Sequence, residues 1–187
     1  MIYAAAMGSD MCENHHAERV AQAMLAMGAR VAYVTMATGM STRKVRAWNR
    51  VVTGRKASQG PVPYQAASII RTRIAQARAS LFGALAVQAG ALKAREFRAE
   101  LIIHAYDRYL SLAPDLDRAD RALSINDALV IARDLRNGSA VLEWCEHCQT
   151  QYLDMAGSHL RGCPICALYA AAPSGSGKRR FGRRDKA

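Results

Sequence analysis

Cys145, Cys148, Cys163 and Cys166 form two C-x2-C pairs separated by fourteen residues, and they hold four of the five cysteines of the chain. Two thiolates three residues apart turn a knuckle around one cation, and a second knuckle closes the tetrahedron that zinc accepts from sulfur. A redox C-x-x-C would stand beside a strand–helix–strand pattern, which is missing here. Disulfides would need an oxidising compartment, and the usual iron–sulfur runs are spaced differently. The expectation is one structural Zn2+ held by Cys145, Cys148, Cys163 and Cys166. His147 and His159 lie inside the loop as alternative ligands, but four thiolates already complete a site. Such a site keeps no open position for water or substrate, so the chain is not expected to be an enzyme.

Charge is the second constraint. The chain carries +11 overall, and between Glu18 and Glu96 no acidic residue interrupts thirteen lysines and arginines. A solvated face mixes signs, so an unbroken basic block points to a polyanionic partner. Nucleic acid is the first candidate, double-stranded DNA or RNA. A membrane surface is excluded, because no apolar run is long enough to span a bilayer and no basic helix carries bulky membrane-seeking aromatics. Nothing between Met1 and Asp10 has the layout of a signal peptide, so a cytoplasmic protein, nucleoid-associated when bound, is expected.

Abundant alanine and few period-two runs predict a mainly α protein. Asp10 and Glu13 suit a cap for a helix bearing Val20, Met24 and Met27 and ending at Gly28. Residues 31–52 read as helix-turn-helix: Gly39 makes the turn, Ser41 caps the second helix, and Val34, Met40, Val45 and Trp48 face inward. The outward positions are then Thr42, Arg43, Lys44, Arg46, Asn49 and Arg50, side chains suited to bases and phosphates in a major groove. Arg55 and Lys56 follow in a basic loop. A helix is predicted from Tyr64 to Gly90 with Ile70, Ile74, Ala77, Leu81 and Leu85 on its packing face. Another carries Phe97 to Leu112 with His104 as a packing residue, and a third is capped by Ser124 and Asp127. Trp144, Leu142 and Tyr152 are expected to seat the cysteine unit on this body. The implied division is a helical body over 10–139, a four-cysteine zinc knuckle or ribbon over 140–169, and a disordered basic tail over 170–187.

Several segments carry a family likeness in order from Ala23 to Cys166. They are Ala26-Met27-Gly28-Ala29-Arg30-Val31, Thr38-Gly39-Met40-Ser41, Pro61-Val62-Pro63-Tyr64, Ala105-Tyr106-Asp107-Arg108-Tyr109-Leu110 and the four cysteines. In these the chain resembles the FlhC family, the C subunit of the bacterial flagellar master transcription activator. The resemblance implies a helical protein with a zinc-binding C-terminal module, joined to FlhD subunits in a hetero-oligomer. It further implies binding to DNA upstream of flagellar operons and recruitment of RNA polymerase, with Cys145, Cys148, Cys163 and Cys166 as metal ligands. An RNA-binding or ribosome-associated zinc protein is the alternative, since charge and a knuckle also serve single strands.

Overall fold

The computed structural model describes residues 3–57, 62–63, 65–93, 97–112 and 123–171, with side chains from residue 15 onward. The described elements are mainly helical. They are α1 (Tyr3–Ala26), α2 (Val31–Thr38), α3 (Thr42–Thr53), α4 (Ala66–Ile69), α5 (Arg73–Gln88), α6 (Ala99–Leu112) and α7 (Ile125–Asn137), then a hairpin of β1 (Ala140–Cys145) and β2 (Thr150–Met155), and α8 (Pro164–Ala171). None of these helices is long and apolar enough to cross a membrane. Of the residues expected to form a disordered basic tail, Ala170 and Ala171 close α8 instead, and those from 172 onward lie outside the described part.

The first three helices pack on one another. α1 begins at Tyr3 rather than near Asp10, because Ala4-Ala5-Ala6 favours helix and no proline interrupts it. Gly39 ends α2 in the left-handed conformation at φ 67°, where a side chain would be strained, and its N–H reaches the Thr35 carbonyl. Ser41 then accepts from the Lys44 amide and starts α3. Val20, Met24, Val34 and Val45 are buried between the three helices, and Met40 and Trp48 pack against them. Residues 31–52 thus form the helix–turn–helix arrangement that their pattern predicts.

The single helix expected from Tyr64 is broken into α4 and α5. Asp134, 2% exposed, accepts the Ala66 amide at 2.7 Å and fixes the start of α4, while Ile70 leaves the helix at φ −90°, ψ 96°. Thr72 then caps α5 by accepting from the Ala75 amide. This break rotates the packing face. Gln76, Ala79, Phe82, Gly83 and Ala86 point inward, whereas Ile74 stands 52% exposed. In α6 the buried stripe is Ile102, Ala105, Tyr106 and Tyr109, and His104 falls on the opposite, exposed side instead of packing.

α7 ties both halves together. Ser124 and Asp127 form the reciprocal cap at its start, and Gly138 ends it. Just inside, the Asn126 side chain accepts the Arg30 amide at 2.8 Å and donates to the Gly28 carbonyl at 3.1 Å. One amide thereby holds the α1–α2 turn, almost a hundred residues away in sequence. Asn126→Ala should leave both backbone groups without that partner and lower stability by about 1–2 kcal/mol in urea unfolding. Asn126→Asp should recover part of the loss, because it keeps the acceptor for Arg30.

Candidate metal centre and basic helix face

The hairpin runs antiparallel with Leu142 opposite Leu153 and Cys145 opposite Thr150, so β1 ends on the first of the four clustered cysteines. The knuckle that follows closes with the Gln149 amide on the Cys145 carbonyl at 2.8 Å, and Gln149 takes a left-handed φ of 57° to allow the turn. Cys163 precedes α8 and Cys166 sits in its first turn. The two knuckles meet. Cys145 and Cys166 sulfurs are 3.7 Å apart, Cys148 and Cys163 are 3.4 Å apart, and all four lie within 4.8 Å of one another. A tetrahedron with metal–sulfur bonds of zinc length has edges of about 3.8 Å, whereas a disulfide needs about 2.05 Å. The donor set therefore fits one tetrahedral cation. His147 and His159 are exposed and stand outside the cluster.

The thiols differ in acidity. The Cys148 backbone amide holds the Cys145 thiol below its ordinary value, and the Thr150 hydroxyl, 3.0 Å from the Cys148 sulfur, brings that thiol down to about 7. Desolvation pushes Cys163 up, and desolvation together with the neighbouring thiols pushes Cys166 up to about 12. Four negative sulfurs at this separation repel one another, so the full tetrathiolate needs a cation at its centre.

The cysteine unit is seated on α5 by polar groups that the sequence pattern did not single out. Leu153 donates its amide to Ser80 Oγ at 2.8 Å and accepts from Gln76 Nε2 at 2.9 Å, so its peptide group is satisfied on both sides. Ser80 in turn donates its hydroxyl to the Gln76 carbonyl, and Gln76 is completely buried. Arg73 donates to Gln76 Oε1 and to the Gly162 carbonyl, just before Cys163. Gln76 and Ser80, spaced i,i+4 within an otherwise apolar face, were the available signal. Beneath them Leu153, Met155 and Leu160 enter the core, and Gly83 lets Leu142 approach α5. Leu142 therefore seats the hairpin as expected. Trp144 does not: it is 57% exposed. Tyr152 faces away from Leu153 and meets Glu143 instead.

The basic positions on α3 divide into three groups. Thr42, Arg43, Arg46 and Arg50 are exposed along one side, and Arg55 and Lys56 are exposed just after the helix. Lys44 is engaged: its ammonium lies 2.6 Å from Glu18 on α1 and 5.4 Å from the Trp48 ring centre. Asn49 is only 7% exposed and donates to the Arg55 carbonyl at 2.9 Å, so the expected outward position is overturned. It stands one turn after Val45 and shares that inward face. The cysteine unit is no match for this surface in charge, since residues 140–171 carry Glu143, Glu146 and Asp154 against Arg161.

In comparison with known proteins, the model of the family described as the flagellar transcriptional activator, FlhC, matches residues 8–182 of the 187. No curated protein matches the chain.

Two outcomes follow from the site's geometry. Cys163→Ser should abolish stoichiometric metal retention and expose residues 140–171 to limited proteolysis, since binding at structural sites of this type contributes roughly 10–16 kcal/mol in small peptides. Unchanged metal content with intact protease resistance would rule that out. Ser80→Ala should cost about 1–3 kcal/mol in thermal unfolding, because the buried Leu153 amide loses its acceptor.

Proposed function

Because the chain belongs to the FlhC family of flagellar transcriptional activators, we propose that it is the DNA-binding subunit of an activator of motility operons. In this reading it works in a hetero-oligomer with an FlhD-type subunit, in the cytoplasm, and helps to recruit RNA polymerase. The observation that carries the DNA contact is the exposed side of α3, where Arg43, Arg46 and Arg50 recur one turn apart with no acidic residue on the helix. Arg55 and Lys56 extend it. Guanidinium groups at that spacing suit phosphates and guanine edges in a major groove about as wide as a helix.

The metal is Zn2+, and it is structural. Cys145, Cys148, Cys163 and Cys166 fill all four positions, so bound zinc supplies folding free energy and no Lewis-acid chemistry. The chain acts without catalysis. Arg73, Gln76 and Ser80 hold the zinc unit on α5, which in turn packs against α6 and α7. Zinc occupancy thereby supports the body that carries α3 through the Asn126 link.

Duplex DNA is favoured over single-stranded RNA by the aromatic residues of the basic block. Single strands are held by stacking on exposed rings, yet Tyr33 is buried and Trp48 is half-buried beneath Lys44. Five exposed cations on and after α3, leaving aside Lys44 with its Glu18 partner, predict a log–log salt slope of about −4 to −5 for duplex binding. Arg43→Ala, Arg46→Ala and Arg50→Ala should each flatten that slope by about 1 in fluorescence anisotropy. Asn49→Ala should leave the slope alone and instead lower the melting temperature. Tighter binding to unstructured RNA than to duplex at matched salt would refute the DNA assignment.

A further inference from the structure

The side chains that α3 turns outward limit which bases it can read. With Asn49 folded inward onto Arg55, the exposed positions after Thr42 are Arg43, Lys44, Arg46, Ala47, Arg50, Val51 and, less openly, Val52, and Lys44 is paired with Glu18. Val51 is 83% exposed, the most open of the large apolar side chains among the described residues. It follows Ala47 by one turn, so two methyl-bearing side chains run beside the three arginines. Bidentate reading of adenine calls for asparagine or glutamine, and this face offers neither.

We propose that Ala47 and Val51 contact the C5-methyl groups of thymines, so that α3 selects thymine beside guanine rather than reading adenine edges. This rests on the DNA-binding reading above and deepens it. The occupant of the apolar strip is the duplex itself, because the strip is flanked by a single-sign row of guanidinium groups that draws in phosphates. Once docked, arginines contact phosphates or guanine O6 and N7, while Val51 covers a methyl group otherwise facing water.

The test uses the full chain with its FlhD-type partner and a duplex selected from a random pool, with single thymines replaced by uracil to remove one methyl at a time. At one or two positions under α3 the wild type should lose about fourfold in affinity per methyl. Val51→Ala or Ala47→Gly should shrink the penalty at its own position toward onefold, with the salt slope unchanged. Val51 is on the surface, so Val51→Ala should keep the wild-type melting temperature. Salt-dependent duplex binding with no uracil penalty, or with penalties that neither variant alters, overturns this inference and leaves the DNA reading standing. No duplex binding at any salt overturns both.

Discussion

The peptide group of Leu153 is where the two parts of the molecule are joined. A two-stranded hairpin leaves the outer edge of each strand with unpaired amides and carbonyls, and it has almost no core of its own. Here Ser80 and Gln76 of α5 take the place of a third strand for Leu153, while its side chain and that of Met155 go into the helical core. Arg73 extends the same contact to Gly162, at the entrance to the second knuckle. The four cysteines are thereby gathered into one cluster by an element that contributes none of them.

Polar side chains of α7 perform the other joins as well. Asn126 fastens the α1–α2 turn to α7, and Asp134 fastens the start of α4 while its other oxygen meets Arg133 at 2.8 Å. Apolar contacts tolerate sliding, whereas a two-way amide contact is satisfied in one arrangement only. Asn126 and Asp134 fix the orientation of helices that a greasy interface alone would leave loosely specified. The direction in which α3 presents its arginines is one result.

Much of the local structure was legible in the residues. Gly39 and Ser41 mark the turn into α3, and Ser124, Asp127 and Gly138 delimit α7, since caps and left-handed glycines depend on neighbours within four residues. The errors share a cause. Periodicity puts Ile74 and His104 on faces that the fold turns outward, and the helix through Ile70 is broken because Asp134 from α7 takes the Ala66 amide. In each case a distant element decided which side of a helix is buried.

The pairing of four cysteines at C-x2-C spacing, the helical class and the unbroken positive charge follow from the sequence alone, for each depends on residue type and short spacing. Thiolates three apart can share one cation whatever surrounds them, and charge adds along the chain without reference to its path. Only the tertiary structure decided which basic positions are available. Asn49 turns in toward Arg55, Lys44 is held by Glu18, and Arg43, Arg46 and Arg50 are left facing out with Ala47 and Val51. The reason is geometric: a helix has a fixed period, but the angle at which its faces meet the core is set by partners that lie tens of residues away.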